Sequence, residues 1–237
     1  FLYASTPDAE IPTDHVIFGT LFKVARRFKI KYIITGENMA TEGILPRSWT
    51  YGIHDWRYIN DVHTKFGKTK LINYPHYSIF QQYFWTKILK INIIRPLNYL
   101  NYNKLEIENF LTTNYGWRNY KIKHFESIYT RFFQGYILPK KFNIDKRRAH
   151  LSALICSNQI SRAEALKQLQ INNYPPELQQ EDKEYVLKKL ELTETEFQKI
   201  MDLPIKSFND YNTYYPLIQK TKKYLKMLGF KIIDFDR

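Results

Sequence analysis

From Glu126 onward the apolar residues recur at helical spacing almost without a break, and this pattern commits the second half of the chain to helices. Ile128, Tyr129, Phe132, Phe133 and Tyr136 share one face, while Arg131 and Gln134 point elsewhere. Leu138-Pro139 is expected to end this first helix, and a second one begins near Asp145. Ser161-Arg162-Ala163-Glu164 and Thr193-Glu194-Thr195-Glu196 both match the capping box, a sequence mark of a helix start. Tyr174-Pro175-Pro176 and Pro204 mark breaks, and a last helix from Tyr214 to Leu228 stops at Gly229 before the short apolar run 230–233.

The first half alternates instead. Val16, Ile17, Leu21, Phe22, Val24, Ala25 and Phe28 predict a helix over Thr13 to Phe28, with Arg26 and Arg27 suited to its carbonyl end. Tyr32 to Thr35 reads as a short buried strand that delivers the loop Gly36 to Glu42 to the carboxyl edge of a sheet, where open α/β sheets place ligands. A helix over Asp55 to Phe66, a strand over Thr69 to Asn73, and helices over Ile79 to Leu89 and Lys104 to Thr112 follow. Two or three short strands are too few for the sheet this alternation implies. With the abrupt opening at Phe1, the expectation is a fragment whose sheet is completed upstream or in trans.

Charge narrows the partners. The 36 Lys and Arg against 23 acids leave a net charge of +13, which favours an anionic partner. The single cysteine, Cys156, lies in an apolar helical run, so neither a disulfide framework nor a thiolate metal cluster is expected, and a reducing cytoplasm fits. No run of about twenty apolar residues and no signal-peptide layout is visible, so no membrane role is expected.

The cations concentrate in Lys123 to Ile155. A helix from Asp145 sets Lys146, Arg147 and His150 within one turn, near Lys140 and Lys141 in the preceding connection. An anion-handling site is the functional reading, and a solvated face is the plain one. Asp8, Glu10, Asp14 and His15 suit either a helix start or a cation. Trp49, Tyr51, His54, Asp55, Trp56 and Arg57 suit a sugar and nucleotide wall, with Trp56 the better core candidate. His124 and Glu126 read as a general base pair or a helix cap. The six histidines lack zinc-site spacing, so no metal ligand is assigned.

The segments TPDAEIPTDH (Thr6 to His15), TGENMATEGILPRSWTYGIHDWRYI (Thr35 to Ile59) and Lys123 to Ile155 resemble the N-acetyl sugar amidotransferases. These are PP-loop (adenine nucleotide alpha hydrolase-like) ATP-dependent ligases of lipopolysaccharide and flagellin sugar synthesis, and the likeness runs in order from about Tyr3 to Tyr211. The family's Ser-Gly-Gly-x-Asp-Ser loop, whose closely spaced amides cradle pyrophosphate, does not occur in this sequence. The resemblance therefore implies an α/β carboxyl-terminal part of such an enzyme, inactive alone. Residues 1–100 would be the end of the PP-loop parallel sheet, and residues 101–237 a mainly helical region for substrate or partners.

The implied reaction turns an acetamido group of a nucleotide-activated sugar into an acetamidino group. ATP adenylylates the amide oxygen, ammonia attacks, and AMP leaves. Implied partners are a glutaminase and a cyclase-like subunit that supply ammonia, together with the missing N-terminal PP-loop half. Lys140, Lys141, Lys146 and Arg147 would stabilise the departing charge, with His124 and Glu126 beside them. Thr35, Gly36, Glu37, Asn38, Glu42 and Arg148 would border ATP, with Glu37 or Glu42 holding Mg²⁺ through water. His54, Asp55, Arg57, Arg131 and His150 would contact the sugar.

Other classes compete. Lys146 to Ser157 followed by Ser161 to Gln170 has helix-turn-helix spacing, but the cations sit on the first helix and its loop, not on the helix that would enter a groove, which disfavours nucleic acid. A PP-loop tRNA-modifying ligase would use the same cations on RNA. The carboxyl-terminal helices would also serve as a docking module.

Overall fold

The computed structural model describes residues 1–118, 123 and 125–227; His124 and the run 230–233 lie outside them. The first long helix, α1 (Ile11–Arg27), carries Pro12 in its first turn, where a missing N–H leaves no bond unmade, and Arg26 and Arg27 in its last. Strand β1 (Tyr32–Ile34) leads to α2 (Met39–Glu42), a single turn in which the Asn38 side chain accepts the Thr41 N–H. Asp55 caps α3 (Trp56–Phe66), and a reciprocal Ser78–Gln81 box caps α4 (Ile79–Tyr83), which widens into a π turn over Phe84–Ile88. Strand β2 (Asn92–Ile94) and α5 (Lys104–Tyr115) follow, the helix closing on Gly116 at φ 64°.

The second half is helical, as its periodicity predicts. It comprises α6 (Ile128–Phe132), a π turn (Phe133–Ile137), α7 (Leu138–Phe142), α8 (Arg147–Cys156), α9 (Arg162–Gln170), α10 (Pro176–Lys189), α11 (Glu194–Asp202) and α12 (Tyr215–Met227). Both expected capping boxes form, at Ser161–Glu164 and Thr193–Glu196.

The structure corrects several expectations. Leu138-Pro139 does not end a helix: α6, the π turn and α7 run on continuously. A proline ring collides with the carbonyl four residues back, but here the Leu138 N–H bonds Phe133 O five residues back, and the wider turn makes room for Pro139. Residues 69–73 are irregular, with Ile72 81% exposed; the partner of β1 is Asn92–Ile94. Nor is β1 buried throughout, since Ile33 is covered while Tyr32 and Ile34 face outward. The Asn92 N–H donates to Lys31 O and the Thr35 N–H to Ile94 O, a parallel register. The described residues therefore form a mainly helical chain with one small parallel sheet.

The chain clusters into two compact units made of separated segments. Among the described residues, one takes 1–33, 50–92 and 206–227; the other takes 34–49 and those within 93–205. In the first unit Ala4, Ile11, Tyr58, Ile59, Val62 and Tyr211 form a core, and the Tyr211 hydroxyl donates to Ala4 O at 2.7 Å. In the second, the buried Phe132 of α6 packs on Phe197 of α11, and Leu151 and Leu154 of α8 pack with Ala165 of α9.

His15 sits wholly buried in the first unit, its ring 4.3 Å from that of Tyr77. Its Nε2 accepts the Tyr77 N–H at 3.3 Å, so the proton is on Nδ1, which donates to Ile53 O at 2.6 Å. Burial, more than any neighbour, holds this imidazole neutral and lowers its pKa below the usual 6.5. The unfolded chain then binds the extra proton first, so the stability His15 contributes is complete above pH 6.5 and falls as pH drops below it. The expected slope is up to about 1.4 kcal/mol per pH unit. Urea midpoints taken downward from pH 7.5 read it, and His15→Gln should show a shallower decline; equal slopes in both proteins would refute the assignment.

Candidate functional site

Within the second unit, the helical elements line a half-open cavity of about 290 Å³. The π turn contributes Gln134 and Gly135, the start of α8 contributes Lys146, Arg147 and His150, and the turn between α9 and α10 contributes Asn172, Asn173 and Tyr174. Phe125 and Lys123 complete the wall, with the Phe125 and Tyr174 rings edge to face at 5.6 Å.

Local chemistry fixes these positions. Asn172 Oδ1 accepts the Tyr174 N–H at 3.1 Å, a side-chain turn that sets the path into Pro175-Pro176. The Tyr174 hydroxyl donates to Asp182 Oδ2 at 2.8 Å, and the same carboxylate takes a two-pronged grip from Arg131, at 2.6 Å from Nε and 2.7 Å from Nη2. Burial together with Asp182 pushes the Tyr174 hydroxyl pKa upward, and hydrogen bonding to Asp182 raises that of Arg131.

Gly135 has a steric reason. A Cβ there would lie 2.6 Å and 2.9 Å from Tyr174 ring carbons, and the ring is pinned at its hydroxyl end by Asp182. Gly135→Ala is expected to cost about 1–3 kcal/mol of stability by overpacking. Urea unfolding measures this, and a midpoint equal to wild type would show that the ring yields.

Most charges on the wall are paired. Asp145 accepts the Arg147 backbone N–H at 3.0 Å and its guanidinium Nη2 at 2.8 Å, while Arg147 Nη1 donates to Ile171 O at 3.0 Å. Burial alone would raise the Asp145 pKa, but the Arg147 hydrogen bonds and charge hold it below the carboxylate range. Lys123 pairs with Glu42. Lys146 forms no ion pair among the described residues.

The expected five-cation cluster therefore splits. Lys146, Arg147 and His150 line the cavity, whereas Lys140 and Lys141 do not. The Lys140 ammonium lies 3.9 Å from the centroid of the Tyr136 ring. The Lys141 ammonium caps the end of α11 by donating to the carbonyls of Ile200, Met201 and Leu203. Arg148 is exposed and outside the wall. Glu126 is exposed, and the cap of α6 is Ser127, whose Oγ accepts the Thr130 N–H. Arg131 is held against Asp182 and does not line the cavity.

Of the residues expected around ATP, Glu37 pairs with Arg95, Glu42 with Lys123, and Asn38 is occupied as the cap of α2. Thr35 Oγ1 is buried with no hydrogen-bond partner, at the carboxyl end of β1. Nothing stands within 4 Å of a Cβ placed on Gly36. His54, Asp55 and Arg57 belong to the first unit: His54 Nδ1 bonds the Tyr77 hydroxyl, Arg57 lies over the Tyr214 ring, and Asp55 is buried as a cap. No group of three or more His, Cys, Asp or Glu able to hold a metal occurs among the described residues.

Nothing in the sequence analysis assigns the wall's five side-chain amides, Gln134, Gln170, Asn172, Asn173 and Gln179, or Lys123 to a site. The available signal is the Asn-Asn-Tyr-Pro-Pro turn, which by its prolines alone reads as a break between helices.

Neither a curated protein nor a solved structure matches the chain. A family model does match: residues 126–226 correspond to one described as "LPS biosynthesis protein WbpG-like, C-terminal domain", and this segment provides the whole cavity wall apart from Lys123 and Phe125. The helical part of this chain is thus similar to the carboxyl-terminal domain of a lipopolysaccharide-biosynthesis protein.

Proposed function

We propose that this chain is the sugar-handling part of an ATP-dependent amidotransferase that converts an acetamido group of a surface-polysaccharide precursor into an acetamidino group. The carrying observation is the coincidence of the family match, over 126–226, with a cavity of mixed polar and apolar lining whose wall those residues build apart from Lys123 and Phe125. An amide carbonyl resists ammonia, and ATP supplies the activation that makes its oxygen a leaving group.

The residues of this chain do not fit the ATP phosphates or Mg²⁺. Glu37 and Glu42 are committed to Arg95 and Lys123, and the sequence has no Gly-rich loop to bring several amides onto a phosphate. Thr35 Oγ1, with its hydrogen-bonding capacity unused, suits an uncharged edge of a ligand better than a phosphate cradle. In this reading the chain binds and orients the sugar. The nucleotide-binding half and the ammonia-supplying glutaminase and cyclase-like subunits are separate contributions.

The test is release of AMP and pyrophosphate by this chain joined to its nucleotide-binding half, given ATP, ammonium and a panel of nucleotide-linked acetamido sugars. Sugar-dependent AMP formation, reduced by Lys146→Ala, is expected. AMP formation indifferent to every sugar but responsive to RNA would replace this reading with a tRNA-modifying ligase.

A further inference from the structure

The cavity's charge arithmetic and its amides go further than the choice of reaction. We infer that the cavity is a binding site for a sugar phosphate, with Lys146 taking the phosphate and the amides of Gln134 and Asn173 reading the sugar's polar groups. This rests on the proposed function in supplying a sugar, but the binding it asserts is independent of turnover.

Pairing decides how much negative charge the cavity accepts. Arg147 is satisfied by Asp145 and Ile171 O, and Lys123 by Glu42, so among the described residues Lys146 is the wall lysine or arginine whose charge no carboxylate offsets. One uncompensated lysine suits one phosphate group. A triphosphate or a nucleic-acid backbone calls for several cations, and the guanidinium of Arg147, which would be the second, is already neutralised by Asp145. Neutral amides both donate and accept, which matches hydroxyl and acetamido groups, and Phe125 and Tyr174 offer ring surface to the apolar face of a pyranose.

The backbone supports a built site. The π turn over Phe133–Ile137 is an uncommon feature that recurs at functional sites, and here it carries both Gln134 and Gly135 onto the wall. The absence of a side chain at Gly135 is what lets Tyr174 close the wall at that point. A volume of about 290 Å³ suits one sugar ring with a phosphate, and any nucleotide attached to it would extend outward.

Titration calorimetry on this chain without ATP provides the test, using N-acetylglucosamine 1-phosphate, N-acetylglucosamine and inorganic phosphate as probes. The sugar phosphate should bind roughly tenfold or more tighter than either fragment. Lys146→Met should bring it down to the level of the neutral sugar without changing binding of the neutral sugar. Gln134→Ala should weaken both sugars, and Lys167→Met, on the exposed side of α9, should weaken neither. Circular dichroism and urea midpoints verify that each variant is folded, with Lys146→Gln as the second choice if Lys146→Met is not.

Sugar phosphate binding that survives loss of the Lys146 charge overturns the inference, as does phosphate binding as tight as the sugar phosphate, or ATP or RNA binding tighter than both. The two readings separate cleanly. Lys146-dependent binding without sugar-dependent AMP formation leaves this site standing and removes the amidotransferase. AMP formation with Lys146-independent binding does the reverse.

Discussion

Arg131→Ala lowers the stability of the second unit by about 3–5 kcal/mol, because it strands a buried carboxylate. Asp182 is 3% exposed, and its oxygens are shared among Arg131 Nε, Arg131 Nη2 and the Tyr174 hydroxyl. Arg131 is on α6 and Asp182 on α10, so the pair locks those helices together and holds Tyr174 at the cavity wall. Asp182→Ala should cost a similar amount by removing the partner of a half-buried guanidinium and a buried phenol. The double substitution Arg131→Leu with Asp182→Leu should recover much of the loss, since apolar pairs of similar size avoid the desolvation of two ions. Urea unfolding measures all three. A loss under about 1 kcal/mol for Arg131→Ala would mean the pair behaves as an exposed one.

Asp55→Ala is expected to cost on the order of 3–5 kcal/mol in the first unit, summing a lost helix cap and two stranded donors. Asp55 Oδ1 accepts the Tyr58 N–H at 3.1 Å, which caps α3, and Oδ2 accepts the Tyr51 hydroxyl at 2.6 Å and the Tyr214 N–H at 2.7 Å. Burial and this carboxylate together push the Tyr51 hydroxyl pKa upward, so the phenol stays protonated and remains a donor. Asp55→Asn keeps an acceptor for the cap but turns an amide NH₂ toward other donors, so its loss should be intermediate. Thermal unfolding distinguishes this from a role in substrate contact: a contact residue replaced by alanine would lower turnover and leave the melting temperature unchanged.

Asp55 and Arg131 also mark how far residue type can be read into role. Both were expected at a sugar site, and both are occupied by long-range partners, Tyr214 at 159 residues' separation and Asp182 at 51. No local pattern announces such a pair. Lys140 and Lys141 lie off the cavity wall for a related reason: their spacing from Lys146 along the chain is short, yet one lies over Tyr136 and the other caps α11. By contrast, Lys146, the N-cap of α8, and His150 in its first turn stand four residues apart, and that geometry carries them to the same cavity.

The sequence by itself determined whatever depends on a few neighbouring residues. The helical second half, the capping boxes at Ser161 and Thr193, the break at Pro175-Pro176 and the helix after Asp55 all follow from periodicity and local hydrogen bonding. Tertiary structure alone decided which cations stay uncompensated, which carboxylates become caps, where β1 finds its partner, and that a π turn carries the helix through Pro139. The physical reason is range. Helix propensity and capping act within one turn of chain, whereas the charge state and exposure of a side chain are set by groups that only folding brings within a few ångströms.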